Sequence, residues 1–143
     1  MKSLRQIFLI VAIFLNNNLF SSEDDKTFQE QSMLSVLYAQ TSAEFSANNM
    51  QTYNNARVYL DKALADDSWT AALEQKKDFK NKRPAIILDI DETVLDNTPF
   101  QARTIVKGLS YPNGWVDWAN EGQATAVAGV SDFLEFANKK GVK

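Results

Sequence analysis

Asp89 and Asp91 stand two residues apart at the end of an apolar run, Ala85-Ile86-Ile87-Leu88, and Glu92 and Thr93 follow them. Side chains of an extended chain alternate in direction with a period of two, so the two carboxylates would project to the same side. A carboxylate pair of this kind can divide the work of group transfer between a nucleophile and a proton carrier. Phosphoryl transfer fits the pattern best. Asp89 would attack phosphorus and form an acyl phosphate. Asp91 would protonate the leaving oxygen and then take a proton from the attacking water, assistance worth roughly 10²–10⁴-fold. To act as an acid Asp91 must hold a proton, which a neighbouring anion favours and a bound cation opposes, so an acidic working pH suits the pair. Mg²⁺ between Asp89 and a phosphoryl oxygen would reduce the repulsion between two anions. The backbone N–H groups of the turn, at Glu92 and Thr93, would cradle the remaining oxygens.

Other uses of the same residues fit less well. A calcium loop counted from Asp89 would want Gly at its sixth position and Glu at its twelfth, where this chain has Val94 and Phe100. A glycosidase needs opposed carboxylates at a set distance, not neighbours on one segment. A pair of aspartates that merely caps a surface turn would leave charge at the end of an apolar strand with nothing to neutralise it.

Composition narrows the chemistry further. The 143 residues contain no cysteine and no histidine. Disulfides, thiolate nucleophiles, histidine bases and the usual zinc ligands are therefore excluded for this chain. What remains is carboxylate, hydroxyl and lysine chemistry with an oxygen-preferring cation. The formal net charge of −3 gives no bulk attraction for nucleic acid. The basic run Lys76, Lys77, Lys80, Lys82 and Arg83 reads as a solvated linker ending at Pro84.

The elements that must position the pair follow from periodicity. The apolar run reads as a buried strand of a parallel sheet, with its ligand site outside the carboxyl end. Upstream, Leu34, Leu37, Tyr38, Thr41 and Phe45 form one helical stripe, and Tyr53, Ala56, Leu60 and Leu64 form a second. Asn48-Asn49 would break or bend the run, and Asp66-Asp67-Ser68 would cap a further helix over Trp69 to Glu74. Tyr38, Phe45, Tyr53 and Tyr59 are read as core, with stacking on a substrate base as the alternative. Downstream, Thr98-Pro99 reads as a turn and Phe100 to Ser110 has little pattern. Trp115 to Ala119 reads as a short helix, and Gly122 and Gly129 bracket an irregular stretch. A helix follows from Val130 to about Lys140, closed by Gly141, and Val142-Lys143 looks like the first step of a second strand. At the other end, Lys2 and Arg5 precede nine apolar residues, Ile7 to Leu15. That is too short to span a bilayer, which takes about twenty, but it suits an export signal.

Asp89, Asp91 and Thr93 match the Asp-x-Asp-x-Thr/Val motif of the haloacid dehalogenase superfamily, and the chain resembles that superfamily here. The string from Leu88 to Asn97 is similar to the bacterial acid phosphatases of classes B and C, especially the secreted lipoprotein 5′-nucleotidase branch. Gln40 to Phe45, Tyr53 to Ala56, Trp115 to Trp118, and Ala126 to Val130 with Phe133-Leu134, resemble the same branch. The resemblance implies an α/β fold, with part of a Rossmann-like core, N-terminal helices and a helical cap segment. The chain is thus expected to divide into an export signal over 1–22, a helical region over 23–83 and the start of the phosphatase core over 84–143, with the cap at about 100–126. The resemblance also implies Mg²⁺ held by the Asp89 side chain, the Asp91 main-chain carbonyl and a later acidic residue. The implied substrate is a small phosphomonoester such as a nucleoside monophosphate, hydrolysed in the periplasm or outside the cell. No lipid anchor carries over, because the acceptor cysteine is missing.

The family's second, third and fourth motifs would all follow Lys143, so the resemblance covers about the first half of a member. The 143 residues alone are expected to turn over weakly or not at all. A truncated, non-catalytic binding or assembly protein is the alternative, and a phosphotransferase would use the same first motif.

Overall fold

The computed structural model describes residues 32–143 except 73 and 77. The export signal expected over 1–22 and the start of the helical region lie outside the described residues. Helix α1 spans Met33–Thr41 and α2 spans Ala43–Leu64. The break between them falls at Ser42, not at the asparagine pair. Ser42 has extended backbone angles, and its Oγ accepts the Phe45 N–H at 3.3 Å, which caps α2. Asn48 and Asn49 continue the helix, and the Asn49 side chain donates to the Phe45 carbonyl at 3.0 Å. The helix expected over Trp69 to Glu74 does not form among the described residues. Asp66 instead closes a local turn, its carboxylate accepting both the Ser68 N–H and hydroxyl.

The first predicted stripe is not a core face. Leu34, Leu37 and Tyr38 are exposed, and Val36 is the buried residue of α1. Tyr59, also read as core, is exposed as well. The second stripe holds: Tyr53 is buried, and Ala56 and Leu60 pack beside it.

Two compact units divide the chain. One comprises Ala39–Thr98 and Gln123–Lys143; the other comprises Pro99–Gly122 together with the described residues up to Tyr38. In the first, α2 packs on α5 (Val130–Lys139). Val130, Phe133 and Ala137 recur at helical spacing on the buried face of α5. With Tyr53 and Val127 they form the core, and the Tyr53 and Phe133 rings lie 5.6 Å apart. Gly129 opens α5 at φ 87°, and a Cβ there would come within 3.2 Å of the Met50 Cα and 3.3 Å of the Tyr53 Cβ. Only glycine meets both demands, so the two helices approach as closely as they do because residue 129 has no side chain.

The C-terminal end of α5 is closed as the sequence predicts. The Val142 N–H returns to the Ala137 carbonyl and the Gly141 N–H to that of Asn138, with Gly141 at φ 78°. The chain then runs beside the apolar segment. The Ile86 N–H donates to the Lys143 carbonyl at 2.7 Å, and the Lys143 N–H donates to the Pro84 carbonyl at 3.0 Å. This is the alternating pattern of a parallel pair joined by a helical crossover. The predicted strand is therefore present as an extended segment with one parallel hydrogen-bonded step. It is not buried on both faces: Ile86 packs on the core while Ile87 is 96% exposed. Burial of both faces requires helices or strands on each side, and among the described residues α5 covers one.

The stretch between Gly122 and Gly129 is more regular than its sequence implies. β2 (Thr125–Ala126) pairs antiparallel with β1 (Leu95–Asp96), Leu95 opposite Ala126 and Asp96 opposite Thr125.

In the second unit, α3 (Thr98–Lys107) replaces the expected turn and patternless stretch, and α4 (Trp115–Glu121) matches the predicted short helix. Pro99 lies in the first turn of α3, where a missing N–H costs nothing. Phe100 and Trp118 are buried, and Phe100 meets the Trp115 ring edge-on at 5.1 Å. Arg103 lies over the Trp118 ring and makes two 2.8 Å hydrogen bonds to the Glu121 carboxylate. No helix of the described residues is long and apolar enough to cross a membrane.

Candidate functional site

The apolar segment leads directly into a tight turn. The Ile90 carbonyl accepts the N–H groups of Val94 and Leu95, both at 2.9 Å, and of Thr93 at 3.4 Å. The Glu92 N–H donates to the Leu95 carbonyl at 2.8 Å. Reversing the chain this tightly places Glu92 at φ 55°, in the left-handed region that side chains other than glycine, Asn and Asp seldom occupy. β1 follows at once and is held by β2, and the Val127 N–H adds a bond to the Val94 carbonyl at 3.0 Å. From α2, the Tyr53 hydroxyl donates to the Thr93 carbonyl at 2.5 Å.

The predicted nucleophile Asp89 and predicted acid–base residue Asp91 are both exposed, at the end of the extended segment and the start of this turn. The side chain of Asn97, only 4% exposed, donates through Nδ2 to Asp91 Oδ1 at 2.8 Å. The Asn97 backbone N–H donates to Glu92 Oε1 at 3.2 Å. One buried residue thus holds two of the turn's carboxylates. Asp96 faces the other way: its Oδ1 accepts the Thr98 N–H at 2.9 Å and hydroxyl at 2.6 Å, anchoring the start of α3.

Charge is concentrated here. Partial desolvation of its carboxyl pushes Glu92 above the ordinary glutamate range, although the residue as a whole is exposed. The charges of Asp91, Asp96 and Asp89 push the same way, and the Asn97 N–H opposes them. The carboxylates of this turn offer oxygen ligands, which suit Mg²⁺ better than a softer metal. Among the described residues no three acidic side chains converge as a ready-made cage. A cation would therefore take one or two ligands from this turn and complete its shell elsewhere.

The N–H groups assigned to phosphate are in use in this conformation. That of Glu92 is committed to Leu95, and that of Thr93 is held more loosely, at 3.4 Å. A phosphoryl oxygen would have to compete for either. Tyr53 is excluded from stacking on a substrate base, because its ring is in the core and its hydroxyl is bonded to the turn.

A cavity of about 470 Å³ in the first unit is not this site. Arg83, Ile86, Leu88, Leu134 and Val142 line it, and no acidic side chain does. In the second unit a cavity of about 100 Å³ is lined by Phe100, Arg103, Lys107, Asp117 and Glu121.

Sequence reasoning gave no role to Asn97 and read Tyr53 as core, with base stacking as the alternative. Asn97 had a local signal. Asp96-Asn97-Thr98-Pro99 is the pattern of a helix start, with Asx residues before the first turn and Pro inside it. Tyr53 had none, since its partner lies 40 residues away.

Comparison with known proteins gives a consistent result. The family model described as HAD superfamily, subfamily IIIB (Acid phosphatase), matches residues 16–143. Among solved structures, the class C acid phosphatase from Bacillus anthracis is similar at 40% identity and a TM-score of 0.68, over 80% of this chain and 44% of that one. The same enzyme with tungstate bound gives 40% identity and a TM-score of 0.67 over the same shares. The chain thus spans less than half the length of these enzymes.

Proposed function

The chain belongs to the haloacid dehalogenase superfamily, subfamily IIIB, the acid phosphatases, and from that premise we propose that Asp89 and Asp91 carry phosphomonoester hydrolysis through an aspartyl-phosphate. The single observation that supports this most is the turn itself. It leaves two carboxylates exposed at the end of an extended segment, and a buried amide orients the second of them. A nucleophile must be reachable and its proton carrier must be held in one geometry.

Asp89 attacks phosphorus through a carboxylate oxygen, and the P–O bond to the leaving alcohol breaks. Asp91 delivers a proton to that oxygen. Water then attacks the phosphoryl group, Asp91 takes its proton, and Asp89 is released with phosphate. Asn97 keeps the Asp91 carboxylate in one orientation through both steps. The Thr93 N–H, the more loosely held of the two, turns to a phosphoryl oxygen, and the Glu92 N–H assists. Mg²⁺ would be held by the Asp89 side chain and the Asp91 carbonyl, and it would supply neutralisation of the phosphoryl charge.

The substrate class is a small phosphomonoester, with a nucleoside monophosphate as the first candidate. The similarity to class C acid phosphatases supports a phosphomonoester. Lys2, Arg5 and the apolar run Ile7 to Leu15 support action outside the cytoplasm. These 143 residues are expected to work slowly, because the lysine and acidic pair that the family resemblance calls for are not among them.

Hydrolysis of p-nitrophenyl phosphate tests the reading. The expected result is slow release of p-nitrophenol that needs Mg²⁺ and is lost in Asp89→Asn. In Asp91→Asn a phosphoryl group should accumulate on the peptide that holds Asp89, detected by mass spectrometry. Release that survives Asp89→Asn, or a phosphoryl group found elsewhere, would overturn the proposal. Adding glycerol and looking for glycerol phosphate separates a phosphotransferase from a hydrolase.

A further inference from the structure

We infer that Tyr53 is a positioning residue for the acidic turn, so that helix α2 sets where the Asp89–Asp91 pair stands. The consequence for chemistry rests on the phosphatase reading above; the positioning itself rests on geometry alone.

Tyr53 is 7% exposed, with its ring packed among Val127, Val130 and Phe133. An aromatic side chain has two torsions, and packing on several sides locks both. Its hydroxyl is therefore delivered to a fixed point, where it donates to the Thr93 carbonyl at 2.5 Å. Thr93 lies at the middle of the 90–95 turn, between Asp91 and the strand that follows. The height of α2 is fixed too, because Gly129 lets the helix backbone at Met50 and Tyr53 come within van der Waals contact of the start of α5. Burial pushes the Tyr53 hydroxyl further above its ordinary range, so it stays a proton donor at any working pH.

The turn has reason to need this hold. Glu92 sits in the left-handed region, which residues other than glycine, Asn and Asp seldom occupy. Asp89, Asp91 and Asp96 lie within a few residues of it and carry like charge. Local preference and local charge both favour another conformation, and contacts from outside the turn must outweigh them. Val127 and Asn97 supply such contacts from the residues that follow. Tyr53 supplies one from a helix that precedes the turn by 40 residues, and so ties the site to the core.

Tyr53→Phe removes the hydroxyl and keeps the ring. Amide hydrogen exchange followed by NMR is the deciding measurement. The amides of residues 92–95 should exchange about tenfold faster in the variant, the equilibrium worth of one hydrogen bond. Those of Phe133 and Ala137 in α5 should keep their wild-type rates. Val130→Ala serves as the comparison, since a cavity in the core loosens turn and helix together. Unchanged exchange in the turn, or uniform loosening in Tyr53→Phe, overturns the proposal. A second readout uses Mn²⁺ as a paramagnetic probe: broadening of the Asp89 to Glu92 signals should require about tenfold more metal in the variant, matching the same hydrogen bond. Equal Mn²⁺ requirement in the two proteins counts against Tyr53. A wild-type protein whose turn Mn²⁺ does not broaden counts against the metal-dependent phosphatase reading, and the exchange rates still decide the role of Tyr53.

Discussion

Asn97 binds the Asp91 carboxylate through its side chain and Glu92 through its backbone, and it does so while almost fully buried. Removing the amide leaves a carboxylate without its orienting donor and a small void beside it. Asn97→Ala should lower unfolding free energy by about 1–2 kcal/mol, read from the urea midpoint. Asn97→Asp keeps the shape and reverses the chemistry. Two carboxylates would then face each other across a hydrogen-bond distance, and the folded state would favour the protonated form of the new one. A carboxyl whose folded pKa is raised stabilises below its unfolded pKa, about 4, and that contribution is lost as pH rises through the folded value. The variant should therefore lie close to wild type near pH 4 and well below it at pH 7. Equal destabilisation at both pH values would show that residue 97 does not face Asp91 as an ionised pair.

At the scale of elements, the α2–α5 contact carries the site, because both the Tyr53 hydroxyl and the core behind the turn depend on it. Gly129→Ala forces a Cβ against the Met50 backbone and a side chain into a left-handed conformation. A destabilisation of about 1–3 kcal/mol is expected in thermal or urea unfolding. Loss of phosphatase activity should accompany it, because α2 would shift relative to the turn. Ser42→Ala acts on the same helix at its N-terminus and should cost about 1 kcal/mol, the usual worth of a cap. It should leave activity near wild type, since the cap lies about three turns before Tyr53 and touches neither the Gly129 contact nor the turn. Comparable activity losses in the two variants would mean that stability, and not helix placement, governs the site.

Across the whole molecule, the two compact units differ in what holds them. The first relies on apolar burial between α2 and α5. The second combines a small aromatic cluster with the Arg103–Glu121 pair. The Arg103 guanidinium holds the Glu121 carboxyl below the ordinary glutamate range. A carboxyl lowered in the folded state adds stability above its unfolded pKa, about 4.3, and loses it as pH falls through the folded value. Glu121→Gln should thus lower the melting point at pH 7 and make little difference near pH 3. Near-UV circular dichroism from Trp115 and Trp118 reads this unit most directly. A difference that persists at low pH would show that the pair's contribution does not come from charge.

Much of the site was legible in the residues themselves. Asp89-Ile90-Asp91 after an apolar run announces two carboxylates at the end of an extended segment, because the run and the residues that end it are local properties. The amphipathic face of Val130, Phe133 and Ala137, the Gly141 stop and the Trp115 helix were equally plain, since each depends on spacing within one element. Tertiary structure decided the rest. Leu34, Leu37 and Tyr59 have the spacing of a core face, but burial depends on what packs opposite, and nothing within a helix specifies that. Thr125 and Ala126 form a strand only because Leu95 and Asp96 lie beside them. Ile87 has the composition of a doubly buried strand and is exposed, because burial belongs to the neighbours of a strand and not to its sequence. Tyr53 has the periodicity of a core residue, which it is; that its hydroxyl also holds the acidic turn follows from a distance between segments, which no local pattern encodes.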